Sequence, residues 1–169
     1  MGTDPNLRYA KLVVSPQLFG VSQNNFISQS SSTDVGSTIS AKGNVAMSAS
    51  NVLVGVAANI AGGGNVSLAG ANGVALLAGQ STSTGAMSLA TSSGGLFSSQ
   101  TSTQGQSASS SAIGTAVTGG NVSITSSSGD ITLQAANLSA ANALNLSAVN
   151  GTVALTSASQ SSFYSTSST

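Results

Sequence analysis

The chain has 169 residues and a formal net charge of zero, and it contains no cysteine, histidine, tryptophan or glutamate. Its charged residues are Asp4, Arg8, Lys11, Asp34, Lys42 and Asp130. This composition excludes a metal centre built from His, Cys or Glu ligands, a disulfide framework and a basic patch that would attract nucleic acid. We therefore assign no catalytic, cofactor-binding or metal-binding residue, and we expect no cofactor and no nucleic-acid partner.

Residues 1–27 are predicted to precede the repeating part of the chain. The opening Met1-Gly2-Thr3-Asp4-Pro5 lacks a basic segment followed by an apolar one, so it does not fit a signal peptide, and we expect a cloning junction and a lead-in. Apolar residues make up 40% of the chain, which favours an ordered structure over disorder. The apolar run 52–61 is much shorter than the roughly 18 residues that a membrane-spanning helix needs.

Residues 28–84 are predicted to form a first repeat of short strands. Apolar residues alternate with small or polar ones in Val45-x-Met47, Val66-x-Leu68 and Val74-x-Leu76. A period of two over short runs is typical of strands with one buried face. Gly, Asn and Ser separate the runs, and these residues tolerate tight corners. The dipeptide Asn72-Gly73 could equally close an antiparallel hairpin, so that alternative stays open at this point.

Residues 85–108 form a Ser/Thr-rich connecting segment. Apolar residues persist there as Met87-x-Leu89 and Leu96-Phe97, which argues against a purely flexible linker. We expect extra or irregular turns for part of 79–112 and loops for the rest.

Residues 109–169 are predicted to form a second repeat with a Ser-rich end. Four motifs return 77 or 78 positions later: Val35-Gly36-Ser37-Thr38-Ile39, Gly43-Asn44-Val45, Ala57-Ala58-Asn59-Ile60 and Asn72-Gly73 recur as Ile113-Gly114-Thr115-Ala116-Val117, Gly120-Asn121-Val122, Ala135-Ala136-Asn137-Leu138 and Asn150-Gly151. The alternation also continues, in Val122-x-Ile124, Ile131-x-Leu133, Leu144-x-Leu146 and Val153-x-Leu155. A fixed period is typical of an array in which each unit buries its apolar face against its neighbours.

A shorter spacing inside each repeat predicts the fold class. Val45 and Val66 are 21 positions apart, and Val122 and Leu144 are 22 positions apart. Equivalent strands that return after about twenty residues indicate an all-β protein, a parallel β-helix or β-solenoid with an aliphatic interior. Because stacked turns lie about 4.8 Å apart, the spacing predicts roughly eight turns and a rod about 40 Å long.

The few carboxylates do not form a catalytic pair in this fold. Cleavage of a glycosidic bond needs two carboxyl groups roughly 5 to 9.5 Å apart. Asp34 and Asp130 are 96 positions apart, which places them several turns apart along the coil. We expect Asp130 to accept a hydrogen bond from a backbone N–H at a corner of the coil.

Repeated asparagines and glycines are expected to shape the corners. Five segments match the glycosylation acceptor pattern: Asn65-Val66-Ser67, Asn121-Val122-Ser123, Asn137-Leu138-Ser139, Asn145-Leu146-Ser147 and Asn150-Gly151-Thr152. We interpret these asparagines as corner residues whose amides bond to adjacent turns. Gly62-Gly63-Gly64 and Gly119-Gly120 precede no helix pattern and have no lysine in a phosphate-loop position, so we predict turns there.

The order of these motifs between Ser-rich tracts resembles the haemagglutinin repeat over about residues 28 to 165. That repeat occurs in filamentous-haemagglutinin-like exoproteins that Gram-negative bacteria export by two-partner secretion. The resemblance implies a right-handed parallel β-helix that serves as a non-catalytic stalk in a secreted, cell-surface adhesin or in a toxin-delivery protein of contact-dependent growth inhibition. The chain departs from the family in lacking most of the charged residues near strand corners, although Gly129-Asp130 matches the recurring Gly-Asp before a strand.

Two alternatives remain open at this point. One is the β-helical spike of a phage-tail or type VI-like injection machine, which would be an obligate trimer. The other is a Ser/Thr-rich surface that binds ice or glycan, although the outward residues vary from turn to turn. The partners expected through the parent protein are a target-cell outer membrane or a surface glycan or protein. We also expect end-to-end self-association, because open strand edges lie at both ends of an uncapped array.

Overall fold

The computed structural model describes residues 25–93 and 99–169, which form an all-β protein. The strands are β1 (Phe26–Thr33), β2 (Thr38–Ala41), β3 (Val45–Ala49), β4 (Val52–Val56), β5 (Asn59–Gly62), β6 (Val66–Gly70), β7 (Gly73–Leu77), β8 (Gly79–Ser93), β9 (Ser99–Ile113), β10 (Ala116–Ser126), β11 (Ile131–Gln134), β12 (Asn137–Ala148), β13 (Val153–Thr156) and β14 (Ser161–Ser168). Within these two ranges, no helix is long and apolar enough to cross a membrane. The predicted junction and most of the lead-in lie outside the described residues.

The described residues divide into two compact units. Unit 1 comprises residues 34–80 and 112–159, and unit 2 comprises residues 25–33, 81–93, 99–111 and 160–169. The chain therefore passes from one unit to the other at each boundary between a repeat and a Ser/Thr-rich tract.

Unit 1 is a parallel β-solenoid with three strands in each level, which confirms the predicted fold class. The first level is β2, β3 and β4, and the second is β5, β6 and β7. The third level is the two halves of β10 followed by β11, and the fourth is the two halves of β12 followed by β13. Every one of these ladders is parallel, and one turn takes about 22 residues.

The ladder registers decide between the coil and the hairpin. Val45 pairs with Val66, and Val122 pairs with Leu144, so the 21- and 22-residue spacings are the spacings of stacked turns. Gly73 pairs in parallel with Val52, so the antiparallel hairpin at Asn72-Gly73 is wrong. Because Gly73 has a φ of 144°, it adopts a conformation that an L side chain disfavours, and it starts β7 directly after the corner.

The core of unit 1 is a set of aliphatic files, in which one inward side chain lies above the next. Its fully buried members include Val66, Leu68, Val74, Leu76, Val117, Val122, Ile124 and Ile131. In the β6 and β10 files, Val66 lies beside Val122 and Leu68 beside Ile124. Each wall of the coil is only a few residues wide, so side chains of this size fill its interior. None of the buried side chains in the described residues is aromatic, as expected for so narrow a core.

Unit 2 is a four-stranded sheet in the order β1-β8-β9-β14. β1 pairs antiparallel with β8, and β14 pairs antiparallel with β9. The prediction of extra or irregular turns is therefore wrong for residues 79–93 and 99–112, which lie in the continuous 15-residue strands β8 and β9; Leu96-Phe97 lies outside the described residues. The alternating Ser, Thr and small residues of β8 and β9 lack the Asn-Gly and Gly-Asp corners of the solenoid, so nothing bends the chain every five residues. The predicted count of roughly eight turns is too high for the same reason, since the ladders of the described residues stack four levels in unit 1.

The two glycine clusters have different structures. Gly63 and Gly64 form a bend between β5 and β6, as predicted, whereas Gly62 is the last residue of β5 and its predicted turn is wrong. A Cβ at Gly63 would lie 2.2 Å from the Lys42 carbonyl oxygen, so the close approach of successive levels requires glycine there. Gly119 and Gly120 instead lie inside β10, where the register with β12 shifts, so the predicted turn is a β-bulge in a longer strand.

Candidate functional site

Among residues 25–93 and 99–169, no cluster of His, Cys, Asp or Glu could hold a metal ion. Asp34 lies before the first level, and its Oδ2 accepts a hydrogen bond from the Gln80 N–H at 2.9 Å. Asp130 lies in the third level, and its Oδ1 accepts bonds from the Thr152 N–H at 2.8 Å and the Thr152 hydroxyl at 3.0 Å. Each of these two carboxylates thus bonds a distant segment of the chain, and they do not share a site.

Asp130 is a corner residue, as predicted from Gly129-Asp130. The Thr152 backbone N–H, followed by the Thr152 hydroxyl, lowers the pKa of the Asp130 carboxyl from its ordinary value. The ionised form is therefore favoured by two donors from the next level of the stack. This contact is the electrostatic part of the joint between the third and fourth levels.

Asparagine side chains form a ladder along the corner before β3, β6 and the second half of β10. The Asn65 N–H donates to Asn44 Oδ1 at 2.8 Å, and Asn121 Nδ2 donates to Asn65 Oδ1 at 2.8 Å. The three residues occupy equivalent positions in the first three levels. The prediction that corner asparagines bond to adjacent turns is confirmed here for Asn65 and Asn121.

A second ladder follows the corner before β4, β7 and β11. Asn72 Nδ2 donates to Asn51 Oδ1 at 3.1 Å, and Ser128 Oγ donates to Asn72 Oδ1 at 3.1 Å. Asn150 Nδ2 continues the ladder by donating to the Ser127 carbonyl oxygen at 3.2 Å, as predicted for a corner asparagine. Asn145 does not belong to a corner: it lies within β12 and pairs with Ser123, so that prediction is wrong.

The third corner has a geometry that the sequence pattern did not predict. Ala57 and Ala135 both have a φ of 48°, in the left-handed region. A Cβ at Gly36 would lie 1.7 Å from the Ala57 carbonyl oxygen, and a Cβ at Gly114 would lie 2.2 Å from the Ala135 carbonyl oxygen. In each repeat the glycine of Val-Gly or Ile-Gly therefore lies against the Ala-Ala-Asn motif of the next turn. Because glycine has no side chain, the carbonyl group of the left-handed alanine can approach its backbone closely.

Thr115 closes unit 1 at the point where the chain returns from residues 81–111. Its side chain is completely buried. The Thr115 hydroxyl donates to the Leu77 carbonyl oxygen at 2.9 Å and accepts from the Ala58 N–H at 3.2 Å. Because Leu77 ends the second level and Ala58 begins it, this one hydroxyl joins the second level to the third. The sequence signal was slight: the equivalent residue in the first repeat is the exposed Ser37.

The two terminal levels of unit 1 leave part of the interior open. In the fourth level, Leu144 and Leu155 have inward registers beside Val122 and Leu133, yet they are 47% and 70% exposed. In the first level, a cavity of about 450 Å³ opens among residues that include Ile39, Met47, Leu53 and Gly55. One end therefore presents projecting leucines and the other a hollow, because among the described residues no further level packs on either.

Among the described residues, the sheet of unit 2 ends in two strand edges that pair with no further strand. β1 pairs only with β8 and β14 pairs only with β9 in the described sheet, so each has one unpaired side. All eight residues of β14 are exposed. A shallow groove of about 190 Å³ crosses the sheet where Gly85 and Gly105 carry no side chain, and Tyr164 forms one wall. The residues that line this groove are neutral.

A family model described as "Hemagglutinin repeat" matches residues 19–101 and again residues 92–169. The two matches overlap at residues 92–101, and each contains one of the two repeats that the recurring motifs define. No curated protein and no solved structure matches the chain.

Proposed function

The chain belongs to the hemagglutinin repeat family, and on this premise we propose that it is a non-catalytic stalk segment of a secreted, filamentous cell-surface exoprotein. Proteins of this family are typically structural and typically secreted or displayed on the cell surface. In our proposal the segment supplies length and stiffness, and a domain elsewhere in the parent exoprotein supplies binding or toxicity.

The observation that carries the proposal is the continuity of unit 1 across the boundary between the repeats. The aliphatic files run from Val66 to Val122 without interruption, although 55 residues separate the two in sequence. The first corner ladder crosses the same boundary through the bond from Asn121 to Asn65. A coil that stacks so regularly across an excursion of the chain is suited to extension by further repeats.

The composition supports a structural role over a catalytic one. Asp34 and Asp130 each accept backbone N–H donors, which accounts for both described carboxylates. The surfaces of the strands are rich in hydroxyl and amide groups. In the parent exoprotein such a surface would make weak, repeated contacts with a glycan, a protein or the outer membrane of a target cell.

We propose the same stalk function for either parent, an adhesin or a toxin-delivery protein of contact-dependent growth inhibition. The two parents differ in the domain that lies beyond the repeats. A downstream toxin domain with a neighbouring immunity gene would identify the growth-inhibition system, whereas further repeats and a receptor-binding domain would identify an adhesin.

The stalk proposal is tested by changing the number of repeats in the parent exoprotein. Five additional copies of residues 34–159, a segment that includes β8 and β9, should lengthen the surface filament in electron micrographs. The expected increase is about 100 Å, since each copy adds four levels of about 4.8 Å. Adhesion or growth inhibition should persist. A filament of unchanged length would refute the proposal, as would loss of activity after replacing the segment with an unrelated solenoid of equal length.

A further inference from the structure

We propose that the free edge of β14 binds β1 of a second copy of this chain, as an antiparallel strand with Ser162 opposite Ser31 and Thr166 opposite Ile27. The inference concerns unit 2 and rests on hydrogen-bond directions and repeat symmetry. It does not depend on how the parent exoprotein is exported or on what it binds.

The hydrogen bonds to β9 determine which groups of β14 point outward. Thr169 and Ser102 exchange two backbone bonds, of 3.1 and 3.0 Å. In an antiparallel ladder, bonded and non-bonded pairs alternate, so residues 161, 163, 165 and 167 bond to β9. The N–H and C=O groups of Ser162, Tyr164, Thr166 and Ser168 therefore point away from β9, into the unpaired side.

The same argument applies to β1. The Asp34 N–H donates to the Gln80 carbonyl oxygen at 2.8 Å, in register with the β1–β8 ladder. Alternation from this pair leaves the backbone groups of Ile27, Gln29, Ser31 and Thr33 pointing away from β8. Both edges thus offer four residues with outward donors and acceptors at alternate positions.

The chain already contains the joint that we propose between copies. β8 leaves the first repeat and β9 enters the second, and the two are neighbours in the sheet. A Cβ at Gly85 would lie 2.8 Å from Ser107 Oγ, and a Cβ at Gly105 would lie 3.0 Å from Met87 Cγ. These contacts fit an antiparallel register in which Gly85 lies beside Ser107, and therefore Ser83 beside Ser109.

Repeat symmetry transfers this register to the free edges. Ser31 pairs with Ser83 in the first repeat, and Ser109 pairs with Ser162 in the second. Ser109 lies 78 positions after Ser31, which is the repeat period, so it is the counterpart of Ser31; its partner Ser162 is then the counterpart of Ser83. Since Ser83 lies beside Ser109 within the chain, Ser162 should lie beside Ser31 of the second copy. In this register the backbone N–H and C=O groups of Ser162 face those of Ser31, because neither residue uses these groups to bond its neighbour within its own sheet.

Within the described residues, neither edge strand carries a residue type that blocks pairing. β1 and β14 contain no charged residue and no proline, which are the common means of blocking an exposed edge. The two terminal levels of unit 1, considered separately from unit 2, also have complementary features that suit a second copy of this chain. Its fourth level exposes Leu155, and its first level has Gly55 and a cavity in the corresponding file.

Cross-linking tests the register directly, because the natural chain contains no cysteine. Two single variants, Ser162→Cys and Ser31→Cys on chains of different mass, are mixed and oxidised. We expect a mixed disulfide dimer to form at least tenfold faster than in a control mixture of Ser161→Cys and Ser31→Cys, whose side chains lie on opposite faces. Equal rates in the two mixtures would overturn the proposal, and so would Ser162→Cys dimerising with itself as fast as with Ser31→Cys.

A second pair of variants tests the edge itself. Thr166→Pro removes an outward N–H without removing a bond to β9, whereas Thr166→Val keeps that N–H. Sedimentation velocity should show a dissociation constant for self-association roughly tenfold higher for the proline variant, with the valine variant close to the natural chain. Circular dichroism verifies that both variants are folded. If the folded proline variant associates as strongly as the valine variant, the β14 edge is not the binding site.

Discussion

Ala57 and Ala135 hold the same left-handed backbone conformation, with a φ of 48° at both, although they are 78 positions apart. Their N–H groups bond to the equivalent carbonyl oxygens of Leu77 and Thr156, at 3.0 and 2.9 Å. Each alanine turns the chain from one level of the solenoid to the next within its own repeat. The motif Ala-Ala-Asn therefore marks a strained corner, and an alanine there costs about 1 to 2 kcal/mol relative to its preferred conformations.

Replacing either corner alanine with glycine should stabilise unit 1. Ala57→Gly and Ala135→Gly remove the left-handed strain, and the greater freedom of glycine in the unfolded chain offsets part of the gain. We expect an increase in the free energy of unfolding of up to about 1 kcal/mol for each variant, measured by urea denaturation. Ala58→Gly is the matched control: Ala58 is buried without a positive φ, and its replacement should lower the stability. A loss of stability in all three would contradict the strain argument.

The Thr115 hydroxyl should matter more than its methyl group. Thr115→Val leaves the buried Ala58 N–H without its present partner, whereas the Leu77 carbonyl oxygen still accepts from the Ala57 N–H, so the free energy of unfolding should fall by about 1 to 3 kcal/mol. Thr115→Ser keeps the hydroxyl and should lose about 1 kcal/mol for the missing methyl group. Thermal denaturation followed by circular dichroism gives the comparison. Equal losses in the two variants would show that packing, not the hydroxyl, joins the second and third levels.

Features of this structure that come from a repeated sequence pattern could be predicted, whereas features that depend on a single residue could not. The spacing of Val45 and Val66 reports a stacked turn directly, because equivalent residues of a coil recur after one turn. Thr115 has no such signature, since it is one hydroxyl residue among many and Ser37 at the equivalent position is exposed.

The β8 and β9 strands were missed for a different physical reason. Ser and Thr dominate both strands, and one short alternation, Met87-x-Leu89, is too little for hydrophobic periodicity to indicate strands of 15 residues. What distinguishes these strands in the sequence is that residues 81–84 and 106–113 contain no Gly, Asn or Asp, the residue types that recur at the corners of the solenoid. The candidate assembly surface on β14 depends on that sheet, so it could not be predicted before the sheet was known.

A carboxylate placed in an aliphatic file should unfold the second repeat. Val122 is 1% exposed between Val66 and Leu144, so Val122→Asp would bury an unpaired charge at a cost of several kcal/mol. Leu146→Asp should cost less, because Leu146 is only partly buried in the terminal level. Val149→Asp is the matched control, since Val149 is 71% exposed. A melting curve for Val122→Asp that matches that of Val149→Asp would contradict the inward assignment.

The Asp130 carboxylate should make stability depend on pH in the acidic range. Its folded-state pKa is lowered from the ordinary value of 3.8, first by the Thr152 N–H and then by the Thr152 hydroxyl. The folded state therefore binds a proton less readily than the unfolded state. The contribution of Asp130 is fully present above the unfolded pKa and is lost as the pH falls through the folded pKa. The hydrogen bonds set the direction, because desolvation, which raises the pKa, is the smallest of the three effects at this exposed carboxylate.

Asp130→Asn isolates this contribution from that of the other acidic groups. The amide oxygen can still accept from Thr152, but it carries no charge and does not titrate. At pH 7 the natural chain should melt at a higher temperature than the variant, and the difference should shrink as the pH falls below 3.8. Thr152→Val, which removes only the hydroxyl donor, should reduce the pH dependence by less than Asp130→Asn does, because the larger backbone donor remains. A difference in melting temperature that stays constant from pH 7 to the acid limit would show that the charge of Asp130 does not stabilise the joint between the third and fourth levels.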